Sequence, residues 1–257
     1  MGRLKNIFGQ NKGKKILNVY CTAGYPHLDS TVGVMEALQK DGADIIELGM
    51  PYSDPLADGD VIQNSGMVAL KNGMTIAKLF EQLKDFRQKI DVPVVLMGYL
   101  NPVLQYGFER FCQDAAAVGI DGLILPDLPE YEYESTYRQV VKQYGLDFIF
   151  LVTPDTSVAR IRQLDELSSG FLYAVSSSST TGRENSFDQV EKYLVKLKTL
   201  GLKNPILVGF GIKDKESFDK ATRYADGGII GSAYIRSITG KENIEESTNA
   251  FLHSIIG

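Results

Sequence analysis

The sequence predicts a single domain of the α/β class, a (β/α)8 barrel over residues 1–257 with a short extra helix at its N-terminus. Three observations predict this fold. Short apolar runs alternate with amphipathic runs, eight such pairs occur, and no linker or low-complexity stretch divides the chain. Eight β-then-α units close a barrel, whereas an open doubly wound sheet more often has about five or six strands. A length of 257 residues is ordinary for one such barrel.

The apolar runs are short and apolar at nearly every position, which is typical of strands buried on both faces of a parallel sheet. The predicted strands are residues 16–20, 44–48, 94–97, 122–125, 148–152, 171–175, 206–208 and 228–230. Amphipathic stretches predict helices, among them residues 30–40, 75–89, 131–144 and 187–200. Several stretches end at a glycine ahead of the next strand, as at Gly42, Gly119 and Gly145, because glycine readily takes the left-handed conformation in which helices stop.

Charge and cysteine content exclude several classes of protein. The formal net charge is -5, whereas a nucleic-acid binder normally presents a basic face, so no nucleic-acid partner is expected. Cys21 and Cys112 lack CxxC spacing and are expected to be reduced and packed as small apolar groups. No apolar run approaches the length of a membrane span, and the N-terminal segment does not resemble a signal peptide. We therefore expect a cytoplasmic protein without a membrane partner.

Active sites of (β/α)8 barrels lie at the C-terminal ends of the strands. Gly209 and Gly211 end predicted strand seven, and Gly231 and Ser232 lead from strand eight into a helix. Glycine lets backbone N–H groups approach an anion, and a helix N-terminus adds partial positive charge. The pattern predicts a phosphate site, although glycine also serves tight turns. The spacing does not fit a dinucleotide fingerprint, so nicotinamide binding is not expected.

An acidic segment follows predicted strand two. Glu47 lies near the end of an otherwise apolar strand, and Asp58 lies in a proline-containing loop that follows. A carboxylate in the position of Glu47 is either a paired structural charge or a catalytic group with a raised pKa. Asp54, Asp58 and Asp60 are either turn-forming residues or, for Asp58, a second carboxylate that flanks one substrate.

The sequence favours neither a metal site nor a Schiff base. His27 and His253 are the only histidines, and the spacing of the acidic residues does not fit a calcium loop, so no metal is expected. Lys213 comes closest to a strand end, where a Schiff-base lysine would lie. It follows the glycine turn, so we expect it on the surface.

The segment ELGMPYSDPLADG, residues 47–59, closely resembles the signature of the tryptophan synthase alpha subunit family. Further segments agree with the family in the same order along the chain: CTAGYP (21–26), GYLNP (98–102), LPDLP (125–129), GFGI (209–212) and Gly231-Ser232. The resemblance extends over essentially the whole chain. It implies a carbon–carbon lyase of L-tryptophan biosynthesis that cleaves indole-3-glycerol phosphate into indole and glyceraldehyde 3-phosphate.

The resemblance also implies roles for individual residues. The family's two catalytic carboxylates fall on Glu47 and Asp58. Its indole pocket falls on Tyr20, Met97, Tyr99, Ile124, Leu151 and Tyr173. Its phosphate contacts fall on Gly182, Gly211, Ile212, Gly231 and Ser232. The resemblance implies no cofactor in this chain and a beta subunit that contains pyridoxal phosphate, in an alpha2-beta2 heterotetramer through which indole passes.

The chain departs from the family pattern at two places. Asp60 stands at a position that is commonly proline. The segment after strand six has Ser177, Ser179 and Thr180 where the family usually has arginine, glycine and valine. We expect this serine-rich segment to act as a lid, with Thr181 reaching Asp58 when the lid closes and the beta subunit favouring closure.

A retro-aldol cleavage needs an acceptor for the electrons released toward the indole. Protonation at C3 converts the indole ring into that acceptor. We assign Glu47 to proton transfer at C3 and at the glycerol hydroxyl, and Asp58 to the ring N–H, where its charge stabilises the cationic ring. Tyr173 is expected to orient Glu47 or the substrate hydroxyls, or to be a core tyrosine. The alternatives are another phosphate-binding barrel synthase and a non-catalytic regulatory subunit.

Overall fold

A computed structural model describes residues 2–10, 13–175, 187–209 and 211–257. Its strands form one sheet in which every neighbouring pair is parallel. They are β1 (Ile16–Thr22), β2 (Ile45–Gly49), β3 (Val94–Met97), β4 (Gly122–Ile124), β5 (Asp147–Phe148), β6 (Leu151–Val152), β7 (Leu172–Val175), β8 (Ile206–Gly209) and β9 (Gly227–Ile230). The order across the sheet is β5-β4-β3-β2-β1-β9-β8-β7-β6. The predicted α/β barrel is confirmed.

The two outermost strands of this order, β5 and β6, are separated by only two residues of chain. Between them, Ile149 donates its N–H to the carbonyl of Leu123 on the β4 side, and the carbonyl of Phe150 accepts the N–H of Tyr173 on the β7 side, both at 3.0 Å. The two edges of the sheet therefore meet in one extended segment, which closes the barrel. The prediction of one strand at 148–152 was wrong in this detail, because strands of a closed barrel are staggered and this segment pairs with β4 first and β7 next.

The helices cover the outside of the barrel. They are α1 (Arg3–Gln10), α2 (Ser30–Lys40), α3 (Asp60–Lys71), α4 (Ile76–Gln82), α5 (Leu100–Tyr106), α6 (Phe108–Val118), α7 (Glu130–Glu132), α8 (Arg138–Gln143), α9 (Val158–Leu167), α10 (Phe187–Thr199), α11 (Lys215–Thr222), α12 (Ser232–Ile238) and α13 (Ile244–Ile256). The predicted helix 75–89 is α4 followed by a separate 3₁₀ turn, Phe86–Gln88. The predicted helix 131–144 contains a π-helical turn, Tyr133–Tyr137. These 3₁₀ and π segments are only three and five residues long, so the apolar pattern of the sequence is too short to distinguish them from α-helix.

One hydrophobic cluster fills the barrel interior and a second lies between the sheet and the helices. The inner cluster comprises Leu4, Ile16, Ile45, Val95, Ile124, Ile149, Phe171, Leu207 and Ile229. Side chains two residues apart on a strand share a face. Asn18 and Tyr20 therefore follow Ile16 along the inner face of β1, toward the C-terminal end of the barrel.

Aspartates pin the N-terminal ends of several strands. Each immediately precedes its own strand, and its carboxylate accepts the backbone N–H of the first or second residue of a neighbouring strand. The pairs are Asp44 with Leu17 (2.9 Å), Asp121 with Val94 (2.8 Å) and Asp226 with Ile206 (2.7 Å). Asp44 and Asp121, each two residues after a predicted helix-ending glycine, thus organise one end of the barrel. The opposite end is left for a binding site.

Candidate active site

A cavity of about 1090 Å³ opens at the C-terminal ends of the strands. Its walls come from nearly every part of the barrel rim, including the loop after β2 and the start of α12. Ten of the residues predicted from the sequence line it: Tyr20, Glu47, Asp58, Met97, Leu151, Tyr173, Gly211, Ile212, Gly231 and Ser232. The structure therefore brings most of the predicted site together in one place.

Glu47 projects into the barrel from β2. It is in register with Tyr20 on one side and with Val95 of the inner cluster on the other, and only 1% of it is exposed. Asn18 donates a hydrogen bond from Nδ2 to Oε2 of Glu47 at 3.0 Å. Burial raises the pKa of Glu47 to about 8, opposed by the Asn18 hydrogen bond and assisted by the charge of Asp58. A carboxyl group with a pKa near neutrality is suited to both giving and taking a proton.

Asp58 lies in the loop between β2 and α3 and is held by its neighbours. The hydroxyl of Tyr99 donates to Oδ2 of Asp58 at 3.0 Å and accepts the N–H of Ala57 at 3.0 Å. Gln63 donates to the backbone carbonyl of Asp58 at 2.7 Å. Burial raises the pKa of Asp58, and the hydrogen bond from Tyr99 lowers it. The carboxylate of Asp58 is thus aimed by Tyr99.

Two tyrosines, Tyr20 and Tyr173, line the same cavity as Glu47 because glycines on adjacent strands make room for them. A Cβ atom at Gly49 would lie 2.0 Å from the hydroxyl of Tyr20, and one at Gly209 would lie 2.8 Å from the hydroxyl of Tyr173. Burial, then the charges of Glu47 and Asp58, raise the pKa of Tyr173. Its hydroxyl therefore stays protonated and able to donate. Gly209, which the sequence associated with the phosphate loop, clears space for this tyrosine.

The far end of the cavity has the features of an anion site. Gly211 has a φ of 41°, in the left-handed region that favours glycine, and Gly231 immediately precedes α12, which begins at Ser232. The first backbone N–H groups of a helix lack partners within the helix. Lys213 and Arg236 line the same cavity and add two positive charges.

Comparison with known proteins identifies the family. Residues 8–255 match the family model described as tryptophan synthase alpha chain. The chain belongs to this family. The tryptophan synthase alpha chain of Flavobacterium psychrophilum is 50% identical over 94% of this chain and 95% of its own length. The resemblance drawn from the sequence is therefore confirmed.

Solved structures of the family have the same fold. The crystal structure of tryptophan synthase alpha chain from Legionella pneumophila subsp. pneumophila has a TM-score of 0.90 and 35% identity, with 99% of this chain and 96% of that chain covered. The aminoacrylate-bound form of tryptophan synthase from M. tuberculosis has a TM-score of 0.85 and 31% identity, with 99% and 100% covered.

Among the described residues, two that the sequence predicted for the indole pocket, Tyr99 and Ile124, do not line the cavity. Tyr99 contacts Asp58 instead. Ile124 is fully buried in the inner cluster, in register with Met97 on the neighbouring strand. Thr181 and Gly182, with the serine-rich segment expected to form a lid, lie outside the described residues. The site residues of this tryptophan synthase alpha chain family member are therefore only partly placed by the structure.

Lys213, which the sequence predicted to lie on the surface, is exposed and also lines the cavity. The sequence prediction missed Asn18, Ala57, Ile62 and Arg236. Of these, Asn18 left a signal, because it is a polar residue within an apolar strand, as Glu47 is. Asp127 also lines the cavity, but both of its carboxylate oxygens accept the N–H of Leu100 at the start of α5. Its role in this geometry is to cap that helix.

The part of the chain that the structure describes contains no candidate metal site and no candidate membrane-spanning helix. No group of three or more histidine, cysteine, aspartate and glutamate side chains is placed to hold a metal ion there. Within the same residues, every helix is too short or too polar to cross a membrane.

Proposed function

We propose that this chain cleaves indole-3-glycerol phosphate into indole and glyceraldehyde 3-phosphate, with Glu47 and Asp58 as its catalytic residues. One observation carries the assignment. Two carboxylic acids of different character, a buried one with a pKa of about 8 and one aimed by a tyrosine hydroxyl, line a single cavity at the C-terminal end of a barrel. Carboxyl groups in such different settings are suited to different roles.

The proposed reaction returns Glu47 to its starting state. The protonated carboxyl of Glu47 gives its proton to C3 of the indole ring, and the carboxylate of Asp58 accepts a hydrogen bond from the ring N–H and stabilises the positive charge that forms. The carboxylate of Glu47 then takes the proton of the glycerol hydroxyl. The bond between C3 and the glycerol carbon breaks, its electron pair returns to the ring, and the hydroxyl carbon becomes the aldehyde of glyceraldehyde 3-phosphate.

The substrate is proposed to lie across the cavity with its indole among the inner-face side chains and its phosphate at α12. Tyr20, Met97 and Leu151 would contact the ring, with Ile124 below them. Tyr173 would orient Glu47 or the glycerol hydroxyls. Gly182, Gly211, Ile212, Gly231 and Ser232 would contact the phosphate, and Thr181 would contact the substrate side of Asp58.

We also propose a partner subunit, a cofactor in that partner and a cellular location for this activity. The relation to tryptophan synthase from M. tuberculosis supports a beta subunit as the partner, in an alpha2-beta2 assembly. No cofactor is proposed in this chain, and pyridoxal phosphate would belong to the beta subunit. The chain would act as one domain in the cytoplasm.

Glu47→Gln tests the assignment. The amide keeps the shape of the side chain and loses the titrating proton, so cleavage of indole-3-glycerol phosphate should fall by at least about 100-fold, the lower end of general acid–base assistance. Substrate affinity should change little. The matched control is Glu242→Gln, at an exposed position of the chain, which should keep full activity.

The same assay separates the alternatives. A different phosphate-binding barrel synthase, or a non-catalytic regulatory subunit, would leave indole-3-glycerol phosphate uncleaved by the wild-type chain. Neither is favoured by the family match. Full activity of Glu47→Gln would show that another group transfers the proton.

A further inference from the structure

Asn18 is a polar side chain in the interior of the barrel that the proposed chemistry does not use. It is fully buried on β1 and does not line the cavity. Its Nδ2 donates to Oε2 of Glu47 at 3.0 Å. Its Oδ1 is buried and, within the described residues, has no hydrogen-bond partner.

The amide of Asn18, with only one of its two ends hydrogen-bonded, is not explained by a gain in the stability of the fold. Leaving a buried polar atom without a partner costs free energy of folding, and such atoms are rare in native proteins. The neighbouring positions on the inner face of the barrel, at Ile16 and Ile45, are occupied by apolar side chains that pack without this cost. An aliphatic residue would suit the packing at position 18, so the amide needs a different explanation.

We propose that Asn18 is a positioning residue that orients the carboxyl group of Glu47 and sets the ease with which it gives up its proton. This inference rests on the proposed function, because Glu47 is the group that would transfer protons. Within the described residues, Asn18 is the only side chain that donates a hydrogen bond to Glu47.

The geometry lets Asn18 serve both protonation states of Glu47. With Nδ2 toward Oε2, the amide donates to the carboxylate, and a hydrogen bond to a charged acceptor is the stronger kind. A rotation of the amide by about 180° would exchange Nδ2 and Oδ1, so that Oδ1 accepts the O–H of the protonated acid. The donor to the charged form dominates, which is why this hydrogen bond lowers the pKa of Glu47 against the effect of burial.

Among the described residues, no other group around Glu47 lowers its pKa. Asp58 from the loop after β2 raises the pKa of Glu47. Tyr20 and Cys21 on β1 and Tyr173 on β7 interact with the charge of Glu47, and the pKa of each is raised, first of all by burial. These groups are neutral at physiological pH, and none of them supplies a positive charge. Asn18 therefore provides the opposing influence that keeps ionisation of Glu47 within reach.

The test measures Glu47 directly, without substrate. The full-length protein labelled with ¹³C at glutamate side-chain carboxyls is titrated by NMR, and Glu47→Gln identifies the signal of Glu47. Asn18→Leu, which has a similar shape and no donor, should raise the midpoint of that titration by about 1 pH unit. Asn18→Val tests the same loss with a smaller side chain. Ile16→Val, a change on the same inner face that removes no hydrogen bond, should leave the midpoint in place.

The cleavage assay provides the second readout. The limb of the pH profile of kcat/KM that belongs to Glu47 should move in the same direction as the titration midpoint, with little change in KM. An unchanged midpoint in both Asn18 variants would overturn the proposal, even if cleavage fell. The titration needs no substrate, so the two proposals can fail separately. If the midpoint shifts in the Asn18 variants but the wild-type protein does not cleave indole-3-glycerol phosphate, the proposed function is refuted and the role of Asn18 stands.

Discussion

At the scale of the residue, Glu47 and Asp58 differ in what surrounds them. Glu47 is on the rigid inner face of a strand and has one side-chain donor, Asn18. Asp58 is on a loop, and Tyr99 determines the direction of its carboxylate. Burial raises the pKa of both carboxyl groups, and a hydrogen bond lowers it in each case, from Asn18 at Glu47 and from Tyr99 at Asp58. These settings support the proposed roles, proton transfer for Glu47 and charge stabilisation for Asp58.

Asp58→Asn should lower the cleavage rate by more than about tenfold, which corresponds to about 1.4 kcal/mol of activation free energy. The amide cannot offset positive charge on the indole ring. Steady-state kinetics with indole-3-glycerol phosphate would measure the loss. Asp54→Asn is the matched control, because Asp54 is an exposed residue of the same loop. Retention of more than a tenth of the rate by Asp58→Asn would make Asp58 a structural residue.

The raised pKa of Glu47 predicts a pH-dependent stability. Folded Glu47 has a pKa of about 8 against an ordinary value of 4.5. Between these values the folded protein retains a proton that the unfolded chain has released, so the free energy of unfolding falls as the pH rises. Relative to Glu47→Gln, this fall should approach about 1.4 kcal/mol per pH unit. Urea unfolding of both proteins between about pH 5 and pH 8 checks it, and a constant difference would contradict it.

At the scale of the element, the strand ends and the helix that follows them form the proposed anion site. β9 leads through Gly231 directly into α12, so the helix starts inside the cavity. The nearest atoms to a Cβ at Gly231 would be in Tyr20 at 3.5 Å and Ile62 at 3.6 Å. These are ordinary contact distances, so a side chain there would fit.

Gly231→Asp should therefore weaken binding of glycerol 3-phosphate by electrostatic repulsion and obstruction, by at least about tenfold, or about 1.4 kcal/mol. Isothermal titration calorimetry with glycerol 3-phosphate measures the change. Gly33→Asp adds the same charge to α2, at an exposed glycine with no atom within 4 Å of its Cβ, and should leave binding unaltered. Equal affinity of Gly231→Asp and wild type would place the phosphate elsewhere.

At the scale of the whole molecule, the barrel is closed in two ways. The segment that contains β5 and β6 joins the edges of the sheet. Helix α1 contributes Leu4 to the inner cluster, and the ring of Phe8 lies 6.3 Å from that of Phe171 between centroids. Arg3 on the same helix pairs with Asp121 at 3.1 Å. The N-terminal helix is thus part of the core against which the strands of the barrel pack.

Leu4→Ala should destabilise the whole domain by about 2–5 kcal/mol, the usual cost of removing a fully buried leucine side chain. Urea unfolding followed by circular dichroism measures it. The matched control is Leu56→Ala, because 81% of Leu56 is exposed and surface substitutions usually change stability by less than about 0.5 kcal/mol. A loss of that small size for Leu4→Ala would show that α1 is not part of the core.

Most of the architecture could be predicted from the chain itself. The apolar runs at residues 16–20, 94–97 and 206–208 lie within observed strands, since a strand buried on both faces is apolar throughout whatever its neighbours are. The segment at 47–59 predicted both carboxylates, because a long family motif is local in sequence. The closed barrel could also be predicted, because eight strand and helix pairs can be counted along the chain without knowledge of their contacts.

Contacts between residues far apart in the chain were decided only by the tertiary structure. These include the Tyr99 hydroxyl on Asp58, the Asn18 amide on Glu47, the split of one predicted strand into β5 and β6, and the use of Gly209 to clear space for Tyr173. Local periodicity predicts which face of a strand or helix is apolar, but it does not predict which side chains of other strands contact that face. Register and stagger around the barrel determine those meetings, and they exist only once the sheet has closed.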